Sequence, residues 1–252
     1  MINSISNLNP WLVGVIVNSV LLAIAYLIPK KLLTPAGYVH AWILGVITWG
    51  TVGWAGYAVV MFYFLAGSAV TRIGMAEKEA AGIAEKRSGA RGPENVWGSA
   101  LIATICALGT LFTNEQVTAL LLLGYVASYS TKLSDTTATE VGKAYGKRTF
   151  LITTLQPVPK GTEGAVSLEG TLAGVIASGA IAFLGWGVGL IDGMGITWCI
   201  VAALIATSLE SVIGATIQDQ FNWMTNEVVN IINTLIGAIV AILLALGFSV
   251  VL

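Results

Sequence analysis

Charge is scarce in this chain. Only 10% of its 252 residues are Asp, Glu, Lys or Arg, while 56% are hydrophobic. Soluble domains carry about 25% charged residues, so the composition excludes an ordinary water-exposed globule. Apolar helices of about 20 residues, which cross a bilayer with their backbone hydrogen bonds satisfied, are the alternative. Basic residues are missing before Lys30 and after Lys160. Without one in the first ten positions there is no positive n-region for a removable signal peptide, and Trp11 to Ile28 reads as a retained first span. Histidine is limited to His40, which excludes a multi-histidine zinc site. The two cysteines, Cys106 and Cys199, lie in apolar stretches and form neither a disulfide framework nor a CxxC metal motif. A net charge of -1 gives no electrostatic case for nucleic acid.

What is present is apolar runs. They read as eight spans at about 11–28, 35–50, 53–70, 97–113, 116–133, 171–189, 195–215 and 229–250. The stretch from Ala36 to Val70 is too long for one ordinary span. Gly50, Gly53 and Gly56 interrupt it, which fits two spans joined by a very short turn. With that split, every Lys and Arg falls on one side, and the turns near 51, 114 and 190 carry none. The positive-inside rule places the basic side in the cytoplasm or its equivalent. Fusing the second and third spans sets Lys30 and Lys31 opposite the other basic residues. The expected fold is therefore an all-α integral membrane protein, a single polytopic domain over 1–252 with about eight transmembrane helices. Two long inner loops follow, Thr71 to Val96 and Ser134 to Gly170.

The densest chemistry lies in SYSTKLSDTTATEVGKAYGK, Ser128 to Lys147. On a helix, Lys132 and Asp135 are three apart and share a face, and Glu140, five beyond Asp135, falls near the same side. Two carboxylates among hydroxyls can hold a hard cation such as Mg²⁺, and a lysine can contact a phosphate as a point charge. The same residues also read as a snorkelling lysine and a polar helix end. In LQPVPKGTEGAVSLEGT, Leu155 to Thr171, the glycines Gly161 and Gly164 permit tight turns that can cradle phosphate oxygens, with Lys160, Thr162 and Ser167 as donors. The order of lysine and glycines is not that of a P-loop, and a plain flexible loop is the competing reading. In the first loop, Arg72, Lys78, Arg87 and Arg91 suit either a nucleotide or lipid phosphate, or anionic headgroups. Asn95 either caps the next helix or meets a substrate. Thr207, Glu210, Ser211, Gly214 and Gln218 make a polar stripe, as do Asn226, Asn230, Asn233, Thr234 and Gly237; both should face the bundle. A carboxylate such as Glu210 in an apolar helix is expensive without a task.

Four segments carry a resemblance: SDTTATEVG at Ser134 to Gly142, VPKGTEGAVSLEGT at Val158 to Thr171, ESVIGATIQ at Glu210 to Gln218, and NEVVNIINTLIGA at Asn226 to Ala238. From about Gly67 to Ala241 the chain resembles the integral membrane family of the plant and cyanobacterial phytyl-phosphate kinase of vitamin E biosynthesis. Two departures stand out: Glu210, where related chains often carry Asp, and NVWGSA from Asn95, where the pattern is closer to QVLANG. The resemblance implies CTP-dependent phosphorylation of phytyl phosphate to phytyl diphosphate in a cyanobacterial or plastid-type membrane. It implies Lys132, Asp135 and Glu140 as catalytic residues and a Mg²⁺ held by Asp135, Glu140 and Glu210. Phosphates and substrate would then meet Arg72, Lys78, Arg91, Asn95, Lys160, Gly161, Thr162, Gly164, Ser167, Asn230 and Asn233. The implied partners are a prenyl or phytyl phosphate lipid and a nucleotide. A cytidylyltransferase acting on a lipid phosphate, or a small-solute transporter with intramembrane carboxylates, would use much the same residues.

Overall fold

Gly53 decides how the apolar N-terminal third folds. In the computed structural model, which describes residues 8–28 and 32–251, the second helix α2 (Pro35–Thr71) follows α1 (Pro10–Leu27). Gly53 interrupts α2 with φ 69° and ψ -159°. A side chain disfavours that backbone region, and glycine enters it freely. The chain reverses there. Gly37 and Gly67 both lie against Arg91, the first on its carbonyl and the second on its guanidinium. Along a straight helix they would be about 45 Å apart. Trp49 and Tyr57, on opposite sides of the break, stack edge to face with ring centroids 5.0 Å apart. α2 is thus a helical hairpin of two arms, as the glycine cluster predicts. The first arm packs against α1 where Gly45 lies on Asn18; the buried Asn18 donates to the Gly14 carbonyl of its own helix at 2.8 Å and accepts from the Tyr57 hydroxyl of the second arm at 3.0 Å.

The remaining helices are α3 (Met75–Ala80), α4 (Pro93–Gly109), α5 (Glu115–Tyr145), α6 (Leu168–Gly187), α7 (Gly193–Thr216) and α8 (Asn226–Val251). Among the described residues, six helices are long and apolar enough to cross a membrane: α1, α2, α4, α6, α7 and α8. The molecule is an all-α integral membrane protein. Lys30 and Lys31, on which part of the charge pattern rests, lie outside the described residues.

α5 is not among those six, yet it is the centre of the bundle. Every residue from Leu123 to Asp135 is buried, and α2, α4, α6, α7 and α8 all pack on it. A helix enclosed on all sides need not be uniformly apolar where neighbours supply polar partners. Glycines of α6 allow close contact with α5: a Cβ at Gly170 would stand 2.5 Å from the Ala138 carbonyl oxygen and one at Gly174 3.0 Å from that of Ser134.

Both inner loops are shorter and more ordered than the sequence suggests. α5 stays helical through Tyr145, so the SDTTATEVG segment is helix, not loop. Between α5 and α6 a two-residue antiparallel ladder, β1 (Phe150–Leu151) with β2 (Ala165–Val166), ties the segment into a hairpin. In the first loop, Met75–Ala80 forms the short helix α3. α4 begins at Pro93, four residues earlier than expected, because Asn95 Oδ1 accepts the Gly92 N–H at 3.1 Å and closes the first turn.

Candidate active site

The last turns of α5 bring the first two candidate groups together by helical geometry alone. Lys132 Nζ donates to Asp135 Oδ2 at 2.6 Å, the i,i+3 pair expected from spacing. Lys132 also donates to Asn230 Oδ1 of α8 at 2.6 Å. From α7, Glu210 brings its carboxyl within hydrogen-bonding reach of Asp135. Asn233 Nδ2 donates to Glu210 Oε2 at 3.2 Å. Three helices therefore converge on two carboxylates and one ammonium. If both acids are ionised the cluster carries one uncompensated negative charge, which is costly in apolar surroundings and favours a cation between the acids.

This cluster forms the floor of a cavity of about 790 Å³ that opens at the basic end of the bundle. Its walls come from both inner loops and from α4 to α8. Arg91 lines it, donates to the Tyr63 hydroxyl at 2.8 Å and lies 5.1 Å from the centroid of that ring. Arg87 bridges Glu94 and Asn95, the latter at 2.9 Å. Lys160 is exposed at the rim, its Nζ 3.4 Å from the Ala144 carbonyl oxygen. The two inner loops meet where Gly161 packs on Ile83. Gly164, with φ 74°, packs so closely on α7 that a Cβ would fall 2.6 Å from the Ser211 carbonyl oxygen. The Thr162 hydroxyl donates to the Pro159 carbonyl at 2.8 Å, and Ser167 caps α6 by accepting the Gly170 N–H at 3.1 Å. Both hydroxyls serve the loop's own fold as well as lining the cavity.

Three candidates take places that differ from the expectation. Glu140 does not join Asp135 and Glu210. An interval of five residues turns it by about 140° around the helix, and it forms a buried ion pair with Lys78 of α3. Lys78 is 1% exposed and also donates to the Thr71 carbonyl at 2.8 Å, so it is not placed to meet a phosphate. Arg72 caps the C-terminus of α2 and is not among the residues lining the cavity. Sequence reasoning missed Tyr63, whose approach to Arg91 depends on the hairpin at Gly53. It also missed the pairing of Lys78 with Glu140, 62 positions apart. His40 accepts the Trp97 indole N–H at 2.8 Å, and both cysteines, in their apolar stretches, are buried.

Among the described residues no three acidic, histidine or cysteine side chains gather as a metal cluster. The set Asp135 and Glu210 nonetheless fits Mg²⁺, which is commonly held by one or two carboxylates and completed by phosphates and water. The Thr207 hydroxyl, one turn before Glu210 on the cavity wall, and Asn233 Oδ1 are buried with no hydrogen-bond partner. Oxygen atoms left unpaired beside two carboxylates are the donors a hard cation takes.

The sequence pattern of the family described as Integral membrane protein DUF92 matches residues 18–238. An uncharacterized membrane protein of Synechocystis is 70% identical over 233 residues, 92% of this chain and 90% of that protein. The chloroplastic protein VTE6 of Arabidopsis thaliana is 47% identical over 216 residues, 84% of this chain and 65% of its own length. An uncharacterized membrane protein of Methanocaldococcus jannaschii is 30% identical over 236 residues, 92% of this chain and 95% of that protein. No solved structure matches. The matched region holds every residue lining the cavity and the whole Lys132–Asp135–Glu210 cluster, and the chain belongs to the DUF92 family of integral membrane proteins.

Proposed function

We propose that this protein is a Mg²⁺-dependent phosphotransferase. It transfers the terminal phosphoryl group of CTP to phytyl phosphate, releasing CDP and forming phytyl diphosphate in a cyanobacterial or plastid-type membrane. The observation that carries the reading is the Asp135–Glu210 carboxylate pair, joined by Lys132, at the floor of a cavity whose walls bear Arg87, Arg91 and Lys160. The motif resemblance supplies the substrates.

Phosphoryl transfer calls for in-line positioning and neutralisation of charge, with little covalent chemistry by the protein. Bound Mg²⁺ would neutralise phosphate oxygens, held by Asp135 and Glu210. Lys132 is fixed by Asp135 and Asn230, so its ammonium presents a preorganised charge to the phosphates. Arg91, steadied on the Tyr63 ring, and Lys160 at the rim supply further cations to a polyphosphate. Asn233 orients Glu210. The acceptor phosphate is already an oxyanion, so no general base is required. Counting α2 as two crossings and α5 as one gives eight, and the positive-inside rule then supports a cytoplasmic side for the cavity.

The test is product analysis with purified protein in vesicles. CDP release that depends on phytyl phosphate is expected, and both Asp135→Asn and Glu210→Gln should lower turnover by roughly a hundredfold or more. Release of pyrophosphate with a cytidylated lipid would reassign the site to a cytidylyltransferase.

A further inference from the structure

The cavity does not end at its aqueous mouth. On one side it extends between α6 and α7, where Thr171, Leu204 and Ser208 line it. Gly179 of α6 lies against Ile200 of α7, with 3.7 Å between a Cβ built there and the isoleucine, so the two antiparallel helices are in contact at that depth. Thr171 stands eight residues, about 12 Å, nearer the basic end. There the helices leave a gap.

That gap faces the hydrocarbon. Leu204 is 44% exposed although it lines the cavity, and Leu172 beside Thr171 is exposed on the outer surface of α6. No charged residue occurs in α7 between Gly193 and Leu209. A leucine shared by a polar cavity and a membrane face is the edge of a side opening. Leu204 lies six residues, about 9 Å along the helix, from Glu210. A molecule with its phosphate at Lys132 and Glu210 would reach the opening with the first few carbons of its chain.

We infer that the opening between α6 and α7 admits the apolar chain of a lipid monophosphate from the bilayer. The headgroup enters the Lys132–Asp135–Glu210 cluster, the chain stays in the membrane across Leu204, and the nucleotide arrives separately from the aqueous end. This rests on the proposed lipid-phosphate substrate. A second apolar groove, between the second arm of α2 and α6 and lined by Phe62, Leu133 and Ile176, is the rival seat for the chain. None of those three residues borders the cavity that holds the carboxylates.

The experiment uses the intact protein in phosphatidylcholine vesicles with a prenyl monophosphate that carries a photoactivatable group early in its chain. Adducts are expected at Thr171, Leu204 or Ser208, suppressed by excess unlabelled prenyl monophosphate. Phosphatidylcholine with the same group should give adducts that this competitor does not suppress. Leu204→Trp should abolish the competed adducts and raise KM for the lipid at least tenfold while leaving KM for CTP unchanged. Ile205→Trp, equally on the membrane face but outside the cavity lining, should change neither. Competed adducts at Phe62 or Ile176 instead, or an unchanged adduct pattern in a folded Leu204→Trp protein, would overturn the opening. Competed adducts at Leu204 without any CDP release would uphold it and retire the kinase reading alone.

Discussion

Removing either member of the Lys78–Glu140 pair should destabilise the protein by about 3–5 kcal/mol, the usual consequence of stranding a buried charge. The two side chains are 1% and 5% exposed, so solvent screening gives little relief. Glu140→Gln keeps the shape and an acceptor oxygen but removes the counter-charge, leaving the Lys78 ammonium with neutral acceptors only, the Thr71 carbonyl 2.8 Å away among them. Lys78→Met strands the Glu140 carboxylate and also deprives the C-terminal turn of α2 of its donor. The double variant Lys78→Met, Glu140→Leu removes both charges and fills the space with apolar atoms. Such replacements are commonly neutral or better, so most of the loss should return, with a coupling of at least about 2 kcal/mol.

The assay is reversible unfolding in detergent, with turnover measured on the folded fraction. The expected pattern separates two roles for Glu140. As a tie between α3 and α5, it can be replaced together with Lys78, and the double variant should keep most of its turnover. As a metal ligand beside Asp135, its loss should abolish turnover whether or not stability returns. A folded, stable double variant with no activity would therefore refute the structural role. A Glu140→Gln variant as stable as the parent would refute the energetics.

Gly53→Ala should lower stability by roughly 1–2 kcal/mol through backbone strain alone, since the position has φ 69° and nothing within 4 Å of a Cβ; unfolding in detergent measures it. Topology is testable with an impermeant thiol label, because the native cysteines are buried. Lys147→Cys and Lys160→Cys should react from one side, and Phe112→Cys, at a position 85% exposed, from the other; reaction of Lys160→Cys and Phe112→Cys from the same side would refute the eight-crossing arrangement.

The parts of this architecture written in local sequence are those that local physics decides. The break in α2 shows as glycines within an apolar run too long for one span. Lys132 and Asp135 meet because three residues of helix bring them together. α5 was harder to read: its apolar stretch gave the span at 116–133, but its continuation to Tyr145 looks like a polar loop. It is helix because α3, α6 and the hairpin after it enclose those turns and give Glu140 its counterion. Likewise, nothing near Glu210 reveals that it faces Asp135. That approach depends on how α5, α7 and α8 cross, and only the motif resemblance grouped the two acids beforehand. Spacing on α5 sets Glu140 near the side of Asp135, but the rotation of a helix over five residues sends it to Lys78 instead.

The placement of the cluster also bears on the choice between an enzyme and a transporter. Alternating access is typically built around a site near the bilayer midplane that each side can reach in turn. Here the ionisable groups sit at the basic end, beneath two ordered loops. Toward the middle of the bundle, Tyr125 and Tyr129 of α5 are fully buried and pack ring on ring at 5.2 Å, with Tyr125 donating to the Gly56 carbonyl at 2.8 Å. Opening a solute path there would mean separating aromatic contacts and breaking a hydrogen bond in hydrocarbon. An enzyme needs no such path. It needs water on one side for a nucleotide and hydrocarbon on another for a lipid chain, and the cavity has both a polar rim at Lys160 and an apolar edge at Leu204.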